Sequence, residues 1–252
     1  MMYKFSRYFS FPIYILVGKF FRKIVDTSIE VFTVPKLHKK FRHLPFASHA
    51  MQKLLSCYKF KTILDIGSGE GAHAKVFADH GKLVTTLDYG DSIYYKKAKP
   101  DEVKTFKSIV ADFNEYTFKD QYDAVWCSHV LEHQLNPNHF LLKVSSVLKN
   151  GGVLAITVPP ARNTMVGGHV SNWNAGLVLY HLVLAGFDCS EARILKYGYN
   201  ISVLVKKKPV INENLSFDSG DLRKINKFLP KINYIQTYND DLFYGNIWKL
   251  NW

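Results

Sequence analysis

Five short apolar runs punctuate the middle of the chain, at residues 62–66, 83–87, 108–111, 122–127 and 151–158. Each is short enough for a buried strand, and three of them (83–87, 108–111 and 62–66) lead directly into an aspartate or a glycine-rich turn. Between them, residues 49–58, 72–80 and 135–148 carry apolar positions at helical spacing. Strands that alternate with helices imply a parallel sheet wound in both directions, with helices on both faces. A helix over 175–185 and strands over 192–196 and 201–206 would complete seven strands. The expected fold class is therefore α/β, with a mostly parallel seven-stranded sheet. Residues 1–46 are aromatic and basic, are broken by Pro12, Pro35 and Pro45, and read as an N-terminal helical cap. Residues 47–208 form the core, and 209–252 are an irregular aromatic C-terminal extension.

The densest chemical signal is Ile63-Leu-Asp-Ile-Gly-Ser-Gly-Glu-Gly71, a strand that runs into a turn with three alternate glycines and then a helix. Glycines let the backbone approach a ligand closely, and a helix N-terminus offers free N–H groups to an anionic group. Asp65 puts a carboxylate in the same place. A ligand end that is both anionic and cationic, such as an amino acid, suits this better than a bare pyrophosphate. The dinucleotide fingerprint also fits Gly67-x-Gly69-x-x-Ala72, with Asp88 where its ribose acid would sit. Asp65 inside the strand, an acidic end to the third strand and the lack of a second nucleotide-binding half argue against it.

Together these pieces resemble the class I S-adenosylmethionine (SAM)-dependent methyltransferases, a Rossmann-like family, over about residues 62–206. The resemblance implies SAM as cofactor and S-adenosylhomocysteine as product. It implies that Asp65, Gly67, Ser68, Gly69 and Gly71 hold the amino acid end. Asp88, followed by Tyr89, would bind the ribose hydroxyls, and Asp112, followed by Phe113, the adenine amino group. Ser128 and His129 would face the methionine end. Val130-Leu-Glu-His133 and Val147-Leu-Lys-Asn-Gly-Gly-Val-Leu154 resemble the segments around the fourth and fifth strands of the small-molecule branch. Relatives with an aromatic N-terminal cap and this downstream loop resemble enzymes of bacterial surface-polysaccharide (capsule) pathways.

His129-x-x-Glu132-His133 matches an inverted zinc-protease pattern, whose three side chains would share one face of a helix. That protease needs a long helix and a distant third ligand. Here only a short turn fits before Asn136-Pro137, so no metal site is expected and these groups are read as organising loops. The acceptor should lie beyond the carboxyl ends of the strands. There, residues 159–174 form a polar loop with paired glycines, read as mobile. His169 is the first candidate base for a hydroxyl acceptor, His129 and His133 are second, and Arg162 suits an anionic group.

Lys and Arg number 33 against 21 Asp and Glu, and most of the +12 excess precedes Ile63, where twelve basic residues face only Asp26 and Glu30. Such a segment suits anionic lipid, nucleic acid or a phosphate-bearing substrate. The apolar run 11–17 is too short to span a membrane and has no cleavage site after it. An amphipathic helix packed on the domain, with scope for peripheral membrane contact, is the reading. Cys57, Cys127 and Cys189 form no CxxC pair and read as reduced core thiols of a cytoplasmic protein. The leading function is O-methylation of a small polar acceptor: a sugar, a nucleotide-linked sugar or a phosphate-bearing metabolite. The alternative is an RNA methyltransferase using the basic N-terminus. No (D/N)PP(Y/F) tetrapeptide is present, so a nucleic-acid partner is not expected.

Overall fold

The computed structural model describes residues 6–97, 106–208, 210, 214–232 and 242–252. It divides into two compact units, residues 1–35 and 36–252. The described part of the first unit is one long helix, α1 (Ser6–Thr33), and its connection onward. No helix among the described residues is long and apolar enough to cross a membrane.

The second unit is built on one sheet. Its elements are α2 (Ser48–Cys57), β1 (Thr62–Ile66), α3 (Ala72–Asp79), β2 (Leu83–Asp88), β3 (Lys107–Val110), β4 (Tyr122–Ser128), α4 (Pro137–Val147), β5 (Leu148–Val158), α5 (Ala175–Leu184), β6 (Arg193–Tyr197), β7 (Asn200–Lys206), α6 (Asp221–Ile225) and β8 (Lys249–Leu250). The strand order is β3-β2-β1-β4-β5-β7-β6-β8. The first five strands run parallel, and β7, β6 and β8 pair antiparallel.

The sheet therefore has eight strands rather than the seven expected. The extra one comes from the C-terminal extension: Leu250 and Lys249 pair with Ile194 and Leu195 and cover the open edge of β6, as an exposed edge requires. Lys196 lies over the Trp248 ring at 3.9 Å and its backbone N–H donates to Trp248 O at 2.8 Å, fixing that edge. An edge strand of two residues leaves no periodic signal in a sequence.

Side-chain alternation along the central strands fills a core on each face. Leu64, Ile66, Val125, Cys127, Leu154 and Ile156 point to the face covered by α4 and α5. Ile63, Ala124, Trp126, Val153 and Ala155 point to the face covered by α2 and α3. The fourth helix begins at Pro137 rather than at 135. Asn136 caps it by accepting from His139 N at 3.1 Å, and proline stands at its first position, where a missing N–H costs nothing. Cys127 and Cys189 are buried thiols as expected, but Cys57 is exposed at the end of α2.

Candidate active site

The parallel register sets the carboxyl ends of the strands side by side. Ile66 stands opposite Leu87 on one side and Cys127 on the other, and Asp88 opposite Val110. The glycine turn leaves β1 there. Gly67, Gly69 and Gly71 have φ of +69°, +52° and +83°, a region that side chains with a Cβ rarely enter. The turn is tied to the end of β2: Gly67 N donates to Leu87 O at 2.8 Å and Gly69 N to Asp88 Oδ2 at 2.9 Å. A Cβ on Gly67 would overlap Val130 Cγ2, and one on Gly69 would lie 3.1 Å from Tyr94 Cβ. Glycine at 67 thus lets the turn close against the segment that follows β4. Gly67→Val would disturb that packing as well as any ligand, which makes it a poor probe of binding alone.

Asp88 accepts from two loop amides, Gly69 N on Oδ2 and Gly90 N on Oδ1 at 3.0 Å. Asp65 is 1% exposed and its Oδ2 is buried without a hydrogen-bond partner. Burial, reinforced by the Asp88 charge, raises its carboxyl to about 8. Asp112 is exposed at the end of β3, and its Oδ1 accepts from Asn114 N at 2.8 Å. Phe113 turns into the core, its ring 5.1 Å from that of Phe140 and 5.7 Å from that of Phe118. Tyr89 is exposed. Ser68 is half-buried in the turn, and Ser128 at the end of β4 has a buried hydroxyl with no partner.

After β4 the chain makes a sharp turn at His129 (φ +56°), and only Leu131–His133 is helical, as a single 3₁₀ turn. The three residues of the H-x-x-E-H pattern therefore do not share a helix face as ligands. His129 Nδ1 lies 3.1 Å from Glu132 Oε1, and its Nε2 lies 3.1 Å from Asn200 Oδ1. Its ring packs against those of Phe46 at 4.4 Å and Tyr199 at 5.8 Å. With both nitrogens engaged, His129 positions its neighbours and is poorly placed to take a proton.

A different trio comes together. Among the described residues, Glu132, His133 and His169 bring their ligand atoms within 4.8 Å of one another. Glu132 is completely buried and its Oε2 has no partner. His133 Nδ1 donates to Gly168 O at 2.7 Å, which leaves Nε2 free, and its ring meets that of His169 edge-on at 4.9 Å. Burial lowers the pKa of His169 from the ordinary 6.5, while the Glu132 charge opposes the shift.

The loop after β5 is pinned rather than loose. Val170 N donates to Glu132 O, Ala161 N to Trp173 O, and Pro160 bridges Trp173. It walls a cleft of about 110 Å³ that Arg162, Asn163, Thr164, His169, Asn172 and Tyr199 line. The Arg162 guanidinium lies 4.3 Å over the Tyr199 ring, and no carboxylate among the described residues pairs with it. Arg162 and His169, chosen separately from the sequence, thus face one cavity. Val130, two residues before Glu132, packs on Gly67 of the glycine turn.

Several residues of this arrangement escaped the sequence reading. Asn200, just past the Gly198 turn between β6 and β7, accepts from Ala47 N at 3.1 Å while holding His129. His73 accepts from Trp126 Nε1 and its Nε2 meets Phe46 O at 3.1 Å. Burial lowers it to about 4, so it stays neutral and holds the segment that carries Phe46. These are contacts between distant segments, and no local spacing announces them.

Residues 64–156 match a family described as a methyltransferase domain. A ubiquinone biosynthesis O-methyltransferase of Coxiella burnetii is 28% identical over 99 residues, 38% of this chain and 42% of that protein. The chain thus spans about two fifths of the length of the curated relatives it matches. Among solved structures, the N-methyltransferase NodS of Bradyrhizobium japonicum with S-adenosylhomocysteine superimposes with a TM-score of 0.53, at 17% identity, over 72% of this chain and 97% of that one. A 1,6-didemethyltoxoflavin N1-methyltransferase of Burkholderia thailandensis gives 0.52 at 15% identity, over 63% and 78%. Residues 64–156 are thus similar in sequence to a methyltransferase domain, and the chain shares the α/β fold of these SAM-dependent methyltransferase structures.

Proposed function

We propose that the chain transfers a methyl group from SAM to a hydroxyl of a small, polar acceptor, a sugar or phosphate-bearing compound of the kind used in surface-polysaccharide synthesis. One observation carries the reading: the segment after β4 meets both regions, with Val130 packed on Gly67 and Glu132 O accepting from Val170 N of the loop that walls the Arg162–His169 cleft. The residues fit the cofactor. Asp65, a buried carboxyl with an unpartnered oxygen, would take the ammonium group, the glycine turn and the start of α3 the carboxylate, Asp88 the ribose hydroxyls and Asp112 the adenine amino group. When bound, SAM supplies an electrophilic methyl group on a sulfonium, open to in-line attack. His169, whose pKa burial lowers, takes the acceptor's proton, and the Glu132 charge favours the imidazolium that results. Arg162 grips an anionic group on the acceptor. The matched family segment ends at residue 156, before this cleft, so the acceptors of relatives do not carry over.

Incubation with labelled SAM and a panel of nucleotide-linked sugars and phosphorylated metabolites tests the acceptor class. Methylation of a member supports the reading. Salt-dependent retention and methylation of RNA, with no small acceptor used, would favour the nucleic-acid alternative.

Two further expectations concern protons and metals. Asp65, raised to about 8, is protonated in the folded chain at neutral pH and ionised in an unfolded one. It therefore favours the fold below its ordinary range near 4 and withdraws that support as pH climbs toward 8. An ammonium beside it needs the carboxylate. SAM binding at neutral pH should then release a proton, and affinity should rise with pH and level off above about 8. Calorimetry in buffers of differing ionisation enthalpy reads this directly, and binding with no proton release would remove Asp65 from the ammonium site. Because Glu132, His133 and His169 handle protons in this reading, turnover should survive EDTA. Loss of activity restored by one divalent ion would make them ligands.

A further inference from the structure

In α1, Leu16, Val17, Phe20, Ile24 and Val31 recur at spacings of one, three, four and seven and share one side of the helix, flanked by Phe21, Val25 and Phe32. All eight are exposed, Phe20 and Phe21 at 62% each and Phe32 at 86%. Lys19, Lys23, Asp26 and Glu30 form a separate stripe at spacings of four, three and four. Isolated exposed apolar residues need no explanation, but a continuous bulky face on a 28-residue helix does. The apolar sector covers about half the circumference, wider than the narrow a/d seam through which two helices pair. Yet the helix is not apolar enough to span a bilayer. The surrounding sequence is basic: residues 1–42 carry nine Lys and Arg against Asp26 and Glu30.

We propose that α1 lies in the plane of an anionic phospholipid surface, with its apolar face of Phe, Val, Ile and Leu in the acyl boundary and Lys19 and Lys23 on its flank at the headgroups. The long Lys stems reach from the helix flank to the phosphates. The methyltransferase core would then work at a membrane surface, where an acceptor carried on a lipid would be presented.

The test is co-sedimentation of the full chain with vesicles of phosphatidylcholine alone, or of phosphatidylcholine mixed with phosphatidylglycerol. The protein should pellet with the anionic vesicles, pellet far less with the neutral ones, and be released by high salt. Phe20→Glu with Phe21→Glu should lower the bound fraction about tenfold, and Lys19→Glu with Lys23→Glu should lower it too. SAM affinity and the melting temperature, measured on the same samples, should not change, so failure of the cofactor reading would show separately. Failure to pellet with anionic vesicles, or undiminished pelleting of the Phe variant, overturns the proposal. So does a solution dimer that the Phe variant disperses while vesicle binding is absent, since α1 would then be an interface between copies.

Discussion

Replacing His169 with alanine should cut turnover by about 10²–10⁴ while leaving SAM affinity nearly unchanged. The ring lines the cleft proposed for the acceptor, and its neighbours are the His133 ring and the buried Glu132 carboxyl. No core packing depends on it, so the variant should fold. The pH profile gives a second readout. A base must be unprotonated to act, so the rate rises with pH through its pKa. Burial has lowered that pKa, and the acid limb should therefore fall below the ordinary 6.5 and vanish in the variant. Weaker SAM binding with normal acceptor dependence would move His169 to the cofactor, and an unchanged rate would make the loop a bystander.

Asp88→Ala should weaken SAM binding by about 1–3 kcal/mol, the cost of losing charge-assisted hydrogen bonds to the ribose hydroxyls. Each carboxylate oxygen already accepts one loop amide and retains a lone pair for a hydroxyl. The alanine variant therefore also leaves Gly69 N and Gly90 N without acceptors and should melt earlier. Asp88→Asn keeps the shape and an acceptor oxygen, and separates the two effects. A near-normal melting temperature with weakened SAM binding assigns Asp88 to the ribose. Unchanged titrations in both variants would take it out of the cofactor site.

The elements proposed for the cofactor could be located in the chain because they are local. A strand, a glycine turn and a helix lie within Ile63–Asp79, and each later aspartate marks the end of a strand whose apolar run is visible. The cleft proposed for the acceptor is assembled from distant segments, and the sequence offered only part of its lining. His169 and Arg162 were found from the polarity of their loop, but Tyr199 and Asn200 come from the β6–β7 turn and Phe46 from the approach to α2. The H-x-x-E-H spacing misled because it presumes a helix. The chain turns with a positive φ at His129, whose ring bridges Glu132 and Asn200, and it is His169 that joins Glu132 and His133 in the trio. The eighth strand was missed for the opposite reason: two residues carry no period, and only the open edge of β6 gives them a partner.

A calorimetric titration of the chain with SAM, S-adenosylhomocysteine and NADH tests the proposed cofactor. SAM and S-adenosylhomocysteine should each bind saturably, one to one, in the micromolar range, equivalent to about −8 kcal/mol, and NADH should give no heat. Tight binding of NADH with none of SAM would contradict it.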